Sequence, residues 1–575
     1  MYTQEKNAQI IISLLKAHGI KNIIASPGTT NVAFIGSIQN DPFFRVYSAV
    51  DERSAAYMAC GLAKETREPV VLSCTGATAS RNYLPGLTEA YYSKLPVLAI
   101  TSMQSVSKVG HLVAQVIDRS QVQNDVVKLS LELPIVKDKA DLWDCEIKVN
   151  RAILELERDG GGPVHLNLQT TYTLPFDVKK IPDYRVIKRI RTKDEFPILS
   201  GKVAIFIGSH REFNDEETAI IDQFCLSNNA VVFCDHTSGY SGSFRVNFSL
   251  VAAQDNMNRS IFIPDVMIHI GEVSGDYPSL RLAGKRIWRV SSDGEIRDTF
   301  NKLQYVFDME ESSFFERYIS DSKSDKSYLE SCINTLENIR ENISELPYSN
   351  LWVAKQLHNK IPHNSTLHFG ILNSLRCWNF FDLHPSIKSS CNVGGFGIDG
   401  VLSTIFGASL ANRDRLYFCV LGDLAFFYDM NSIGNKHVGS NLRILIVNNG
   451  KGTEFRQYNH HAAYFKDDAD ELIAASTHFG NKSLTLVKGY AESLGFEYIS
   501  ASNKEQFNSI YERFVNTELN NKSIVFEVFT DSVDESEALE LTHTIVKDKS
   551  VKLKNSVKKL VGSNGMNFVR KVLRS

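Results

Sequence analysis

The stretches RLYFCVLGDLAFFYDMNS, residues 415–432, and NLRILIVNNGKG, residues 441–452, follow one pattern. Each opens as an apolar run of strand length and ends in a compact oxygen-bearing side chain, Asp423 in the first and Asn449 in the second. The 26 positions between these two residues match one strand–helix–strand crossover, which makes the strands parallel neighbours. The two side chains are therefore predicted to meet at the carboxyl edge of one parallel sheet.

The same alternation of apolar strands and amphipathic helices recurs along the whole chain. Residues 4–18 place apolar side chains on one helical face, and KNIIAS then reads as a strand. Near-continuous apolar strands between helices are typical of a parallel sheet that helices cover on both faces. The pattern predicts an α/β fold of three consecutive parallel-sheet domains, at 1–185, 186–345 and 346–545, followed by a tail at 546–575.

The composition argues against several classes of protein. Of the 575 residues, 43% are hydrophobic and 22% are charged, and the net charge of −3 predicts a globular protein with no nucleic-acid partner. The nine cysteines contain no CxxC pair, so we expect reduced thiols in a cytoplasmic protein. The N-terminal segment is charged and amphipathic, which predicts neither a signal peptide nor a membrane span.

The tail is strongly basic, with nine lysines and arginines against one aspartate. Contact with an anionic membrane surface is one interpretation of this tail. A solvated, partly helical extension is the other, and the sequence leaves both open.

The two strand ends carry the groups that a magnesium diphosphate requires. Mg²⁺ prefers carboxylate, amide and backbone carbonyl oxygens, which Asp423, Asn449 and the Lys451 carbonyl would supply. Gly422 lets the backbone approach a diphosphate closely, and the helix beginning near Leu424 offers its N-terminal amides. Taken alone, such a pair is also ordinary turn chemistry at strand ends, so the prediction needs a second signal.

That signal lies in the first third of the chain. DERSAAYMACGLAKE at 51–65 and TGATASRNYLPGLTEAYYSKLPVLAIT at 75–101, together with GIDG at 397–400, resemble the thiamine-diphosphate-dependent enzymes. In detail the chain resembles the menaquinone-pathway 2-succinyl-5-enolpyruvyl-6-hydroxy-3-cyclohexene-1-carboxylate synthase family. The resemblance implies pyrimidine-binding, central and diphosphate-binding domains, thiamine diphosphate and Mg²⁺ as cofactors, and a homodimer or homotetramer with active sites at its interfaces.

The resemblance also implies roles for individual residues. Glu52 matches the glutamate that hydrogen-bonds the aminopyrimidine ring, and the apolar residues after it are expected to raise its pKa. The alternative role for a glutamate at a helix start is a partner of the helix dipole. Gln115 matches a glutamine near the reacting carbon, and Ile398 matches the residue that bends the cofactor. The expected contacts on the pyrimidine side are Pro27, Gly28, Thr75, Gly76 and Thr78.

The sequence departs from the synthase family where that family uses arginines for its acidic substrates. SPGTT places Thr30 at one arginine position, and NVGGFGID places Val393 at a second. Trp378 stands at a third, with Arg376 out of register. None of the three replacements forms a charge-assisted pair with a carboxylate, so we expect different substrates. The new pocket candidates are Arg376, His460 and His461, beside Thr30 and Val393 themselves.

The predicted activity is decarboxylation of a small-molecule 2-oxoacid donor and transfer of the acyl carbanion to an acceptor that the sequence does not identify. The altered arginine positions favour specialised biosynthesis over menaquinone synthesis. One alternative is a simple non-oxidative 2-oxoacid decarboxylase, because the same carbanion then needs only a proton. The other is a catalytically silent binding subunit, which the presence of Glu52, Asp423 and Asn449 together argues against.

Overall fold

The computed structural model describes residues 1–321, 325–476, 483–519 and 522–547. Three sheets with interleaved helices organise these residues, which confirms the predicted α/β class with three parallel sheets. By internal contacts the chain forms two compact units. The first contains Met1–Arg191 and Gly294–Val306, and the second contains Thr192–Asp293 and the described residues from Phe307 onward. The predicted domain boundaries stay a prediction, and the basic tail from residue 548 lies outside the described residues.

The first sheet has six parallel strands. In spatial order they are Arg45–Ser48, Asn22–Ala25, Val70–Cys74, Val97–Met103, Val164–Gln169 and Leu129–Leu133. Alternate strand residues enter two cores, because Val71 packs in one hydrophobic cluster and Leu72 in the other. The helices of this part are Lys6–Ala17, Val32–Ile38, Glu52–Thr66, Thr78–Asn82, Leu84–Tyr92 and Lys139–Glu155, with 3-10 turns at Val106–Lys108 and Arg158–Gly160.

The central part of the chain contributes a second parallel sheet. Five of its strands lie in the second unit, in the order Arg245–Val246, Val231–Phe233, Val203–Ile207, Val266–Ile270 and Arg286–Ser291. Two more strands of this part of the chain are Lys188–Arg191 and Leu303–Asp308. Its helices are Asp215–Asn228, Ser249–Ala253, Glu311–Arg317 and Ser327–Glu341, with 3-10 turns at Arg259–Ile261 and Pro278–Leu282.

The third sheet again has six parallel strands. Their order is Lys388–Cys391, Thr366–Phe369, Tyr417–Gly422, Leu442–Asn448, Ile524–Phe529 and Glu497–Ala501. The helices are Asn350–Leu357, Asn373–Trp378, Val401–Ser409, Asp423–Asp429, Ala469–Leu472, Leu486–Ser493, Lys504–Val515 and Ser532–His543, with 3-10 turns at Met430–Gly434, Thr453–Arg456 and His461–Asp468. The strands that precede Asp423 and Asn449 are parallel neighbours, which confirms the predicted crossover.

The polar stretch after the first sheet is more ordered than a linker. Val178 forms an antiparallel bridge with Tyr2, and the strand Lys188–Arg191 follows within the same unit. Ile187, just before this strand, and Ile190 within it are buried, so two apolar side chains anchor the stretch despite its charge. All nine cysteines are free thiols, and within the described ranges no helix is long and apolar enough to cross a membrane.

Candidate active site

Asp423 lies where the strand Tyr417–Gly422 ends and the helix Asp423–Asp429 begins, at the carboxyl edge of the third sheet. The residue is 2% exposed, and its Oδ2 accepts a hydrogen bond from the Gly450 N–H at 3.0 Å. Burial raises the pKa of this carboxyl to about 7. An ionised carboxylate is poorly solvated in this position, and a bound cation would compensate its charge.

Asn449 follows the adjacent strand Leu442–Asn448. Its side-chain oxygen, Oδ1, is buried and has no hydrogen-bond partner among the described residues. Its amide hydrogen-bonds the buried Glu535 carboxyl group, which also accepts from the Thr530 hydroxyl at 2.7 Å. Since Oδ1 makes no hydrogen bond, the amide nitrogen is the donor to Glu535. Glu535 thereby fixes which face of Asn449 carries the free oxygen.

These two side chains fit a hard cation. A buried carboxylate and an unpaired amide oxygen are ligands that Mg²⁺ prefers, and the Lys451 carbonyl lies two residues beyond Asn449. Among the described residues no group of three or more His, Cys, Asp or Glu side chains is placed to hold a metal. With only one carboxylate in the set, the remaining ligands of a bound Mg²⁺ would be waters and the oxygens of a bound anion, which a diphosphate can supply.

Gly422, Leu424 and Ile398 are the other cofactor contacts that the sequence predicts in this part of the chain. A Cβ built on Gly422 would have no atom within 4 Å, so open space lies beside it. The Leu424 N–H donates to the Asp423 carboxyl group. Ile398 is half-buried and packs against the hydrophobic cluster of the third sheet. Their contacts with a cofactor stay predictions.

Three predicted segments converge at the carboxyl edge of the first sheet. A Cβ on Gly28, next to Pro27, would lie 2.5 Å from the Thr75 Cβ, and one on Gly76 would lie 2.8 Å from the Gln115 carbonyl oxygen. Only glycine fits at either position, because the contacting atoms are a branched Cβ or backbone. The structure therefore brings the loop after Ser26, the TGAT turn and the Gln115 loop together.

Glu52 is the first residue of the helix Glu52–Thr66, with Asp51 as its N-cap. The Asn82 amide donates to Glu52 Oε2 at 3.3 Å, and Asn82 closes the short helix that starts at Thr78. The role expected of this carboxyl group stays a prediction. Glu52 is half-buried, because the small apolar residues after it face the core while Tyr57 and Met58 stay exposed.

The three positions where the resemblance implies arginines are all buried. Thr30 is 4% exposed, donates to the Ser102 carbonyl at 2.7 Å and lies 2.5 Å from the Thr75 hydroxyl. Val393 is 4% exposed, and Trp378 is fully buried with its ring 5.5 Å from that of Phe369. None of the three side chains carries a charge, so none forms an ion pair with a carboxylate.

Two of the other substrate candidates line one cavity of about 320 Å³. Arg376 pairs with Glu454 at 2.5 Å and lies 4.8 Å from the centre of the Tyr277 ring. His460 lines the same cavity and accepts from the Ala462 N–H at 3.0 Å, whereas His461 is exposed and is not part of this lining. The lining of this cavity also includes Arg281, Asn373, Gln457 and His543.

Sequence reasoning missed the two buried glutamates behind the consecutive asparagines. Glu527 accepts from the Asn448 amide at 2.7 Å and from the Tyr498 hydroxyl at 2.7 Å, while Glu535 holds Asn449. Glu527 could have been found, because it is a lone acid inside the apolar strand IVFEVF. Glu535 gives no such signal, because its helix contains several other acids.

Comparisons with known proteins agree with this geometry. The family model described as thiamine pyrophosphate enzyme, N-terminal TPP binding domain, matches residues 5–123. The 2-succinyl-5-enolpyruvyl-6-hydroxy-3-cyclohexene-1-carboxylate synthase of Bacteroides thetaiotaomicron is 30% identical over 575 residues, covering 96% of this chain and all of that protein. The chain belongs to this synthase family. The family synthases of Bacteroides fragilis and Flavobacterium johnsoniae are 29% and 28% identical, over 96% and 93% of the chain and 100% and 98% of their own lengths.

Membership of the synthase family makes the chain a thiamine-diphosphate-dependent enzyme that works with a divalent metal. Its first unit carries Glu52, Gly76 and Gln115, and its second unit carries Asp423 and Asn449. The residue types at the site fit that cofactor and metal.

Proposed function

We propose that this enzyme decarboxylates a 2-oxoacid and transfers the remaining acyl unit to an acceptor other than that of menaquinone synthesis. The observation that carries the proposal is the burial of Thr30, Val393 and Trp378 at the positions where the resemblance implies arginines. A hydrogen bond to a charged group contributes about 1.5–3 kcal/mol. Three such losses disfavour a donor and an acceptor that each carry extra carboxylates.

The chain's own residues divide the work on the cofactor. Asp423, Asn449 and the Lys451 carbonyl would hold Mg²⁺, and Glu52 would hold a proton against the aminopyrimidine ring. When bound, thiamine diphosphate supplies the electron sink that decarboxylation of a 2-oxoacid needs. Gln115 would hydrogen-bond the reacting group from the loop beside Gly76. Asn82 keeps the Glu52 carboxyl group in place through its 3.3 Å hydrogen bond.

The cavity beside Arg376 supports a change in substrate rather than a loss of function. Its lining contains the two cations Arg281 and Arg376 and the two acids Asp255 and Glu454, and Phe380 and Leu539 add apolar surface. Because the charges balance, this cavity favours a neutral or singly charged molecule over a polyanion. A small donor with one carboxylate, such as pyruvate, suits this arrangement.

The test compares three donors in the presence of thiamine diphosphate and Mg²⁺. Carbon dioxide release is measured with pyruvate, 2-oxobutyrate and 2-oxoglutarate, and products are identified by mass spectrometry with and without aldehyde, ketone and enone acceptors. We expect kcat/KM for pyruvate to exceed that for 2-oxoglutarate at least about tenfold, since tenfold is only 1.4 kcal/mol. A preference for 2-oxoglutarate would contradict the substrate proposal. Free aldehyde alone, with every acceptor, would instead establish a simple decarboxylase.

The variant Thr30→Arg with Val393→Arg tests the same point from the protein side. It should shift the donor preference toward 2-oxoglutarate if these positions govern substrate charge, provided that circular dichroism shows a folded protein. Arg376→Met is the matched variant in the new cavity, and we expect it to raise KM more than it lowers kcat. We expect a cytoplasmic homodimer or homotetramer as the working form.

A further inference from the structure

Arg119 is a buried cation without an ionic partner among the described residues of its unit. The residue is 6% exposed, and its Nη2 donates to Asn167 Oδ1 at 2.7 Å. Its Nε and Nη1 are buried and have no hydrogen-bond partner. A guanidinium group taken out of water in this way is costly unless an anion pairs with it.

A small cavity of about 30 Å³ lies beside this guanidinium. Its lining contains two cations, Arg119 and Arg81, and no acidic residue. The other polar side chains that line it are Ser80, Tyr83, Thr101, Gln121 and His165. This volume holds one ion or one to two waters, and the two like charges raise the cost of leaving it without an anion.

No neighbouring group among the described residues forms an ion pair with Arg119. Both nitrogens of His165 are engaged, with Thr101 at 2.7 Å and with Ser130 at 2.8 Å, and burial lowers the pKa of this histidine to about 3. Burial also raises the pKa of the Cys74 thiol to about 12, so it is neutral. Glu132 attracts Arg119 through space without an ion pair between them, and its Oε1 accepts from Gln169 at 3.2 Å.

We propose that this cavity is a binding site for a small monovalent anion, held by Arg119 Nε and Nη1 with help from Arg81. Chloride and a small carboxylate such as formate or bicarbonate share the required charge and size. The anion would tie the helix Thr78–Asn82, which carries Arg81, to the loop that carries Gln115 and Arg119. The site follows from burial and charge alone and does not depend on the proposed reaction.

The first test is thermal unfolding of the full chain loaded with thiamine diphosphate and magnesium gluconate. Sodium chloride, sodium formate and sodium bicarbonate are titrated against sodium gluconate at equal ionic strength and fixed pH. We expect saturable stabilisation of about 2–4 °C by chloride or by the small carboxylates over gluconate. The arm that saturates at the lowest concentration identifies the occupant.

Two variants separate the site from general salt effects. Arg119→Met should lose the anion response and, in gluconate, be at least as stable as the parent, because an unpaired buried charge is gone. Arg45→Met removes an exposed arginine from the edge strand of the same sheet and should keep the full response. Equal midpoints in all salts for the parent, or an unchanged response in Arg119→Met, would overturn the proposal.

Crystals soaked in bromide give a second readout that needs no variant. An anomalous difference peak within hydrogen-bond distance of Arg119 Nε or Nη1 would support the site. A water at this position in crystals soaked in bromide and also in crystals soaked in formate and in bicarbonate, at a bromide concentration that fills other halide sites, would overturn it.

Discussion

The Glu52 carboxyl group is half-buried at the start of a helix and accepts a hydrogen bond from Asn82 on the next helix. We expect Glu52→Gln to lower kcat at least about 100-fold, because a positioned acid or base contributes 10²- to 10⁴-fold. Binding of thiamine diphosphate, measured by calorimetry, should change little, because the diphosphate is held elsewhere. Glu65→Gln, an exposed position on the same helix, is the control and should retain activity. Near-normal turnover of Glu52→Gln would contradict the role of Glu52.

Glu535 holds Asn449, which we propose as a metal ligand, and is not itself a proposed ligand. Glu535→Gln keeps the size of the side chain but offers an amide where Asn449 needs an acceptor, so half of its orientations clash with the Asn449 donor. We expect the affinity for thiamine diphosphate with Mg²⁺ to fall about 10- to 100-fold, as is typical for groups that orient metal ligands. Glu537→Gln on the same helix is the control. Calorimetry of cofactor binding measures this effect, and equal affinities for the two variants would exclude this role for Glu535.

Asp276 supplies a pH dependence that lies outside the metal site. Burial and the neighbouring Asp235 raise its pKa to about 6, while the Ser249 hydroxyl donates to it at 2.8 Å. A carboxyl group with a raised pKa in the folded state destabilises the protein as pH rises from about 4 to 6. Asp276→Asn should therefore stabilise the second unit by about 1–3 kcal/mol at pH 8 and by little at pH 4. Denaturant unfolding at both pH values measures this difference, and a gain that is larger at pH 4 would contradict it.

At the scale of elements, the helices Glu52–Thr66 and Leu84–Tyr92 pack through Gly86. A Cβ on Gly86 would lie 2.4 Å from the Ala56 Cβ and 2.9 Å from the Ala56 carbonyl carbon. We expect Gly86→Ala to destabilise the first unit by about 1–3 kcal/mol and to lower activity, because it displaces the helix that begins at Glu52. Gly61→Ala is the matched control on the first of these helices, since nothing lies within 4 Å of its added Cβ. The control should be about 0.5–1 kcal/mol more stable than the parent, and equal unfolding midpoints for the two variants would disprove this packing.

Local patterns predicted the elements well where the pattern is strong. The strands before Asp423 and Asn449 are apolar runs that end in turn residues. The crossover rule therefore predicts both that they are adjacent and that they are parallel. The strand Lys188–Arg191 is harder to predict from the sequence, because its stretch contains few buried residues among several lysines and arginines. This strand depends on contacts with residues distant in sequence.

At the scale of the whole molecule, we expect active sites that need two chains. Val50, Tyr57 and Met58 lie near the start of the Glu52 helix and are 78%, 49% and 44% exposed, which is unusual for apolar side chains so close together. A second copy of the chain would cover them. The expected assembly is a symmetric homo-oligomer in which Glu52 of one chain serves the metal site of another.

Mixing two inactive variants tests this arrangement. Glu52→Gln and Asp423→Ala should each be inactive alone, but mixed dimers made by unfolding and refolding them together should recover activity. Random pairing gives one intact site in half of the dimers, or about a quarter of the parent activity. If mixed dimers form and remain inactive, both residues belong to one chain's site. Mass spectrometry under native conditions measures how many mixed dimers are present.

The sequence by itself determined the α/β class, the meeting of Asp423 and Asn449 at one sheet edge and the glycines of the first sheet's loops. These follow from side-chain period, crossover length and the backbone freedom that tight turns require, all of which are local. Only the tertiary structure brought Glu535 to Asn449, Tyr277 and Glu454 to Arg376, and Arg119 into an acid-free cavity. Such contacts join residues from distant segments, and burial decides their charges and hydrogen bonds, so no local pattern contains them.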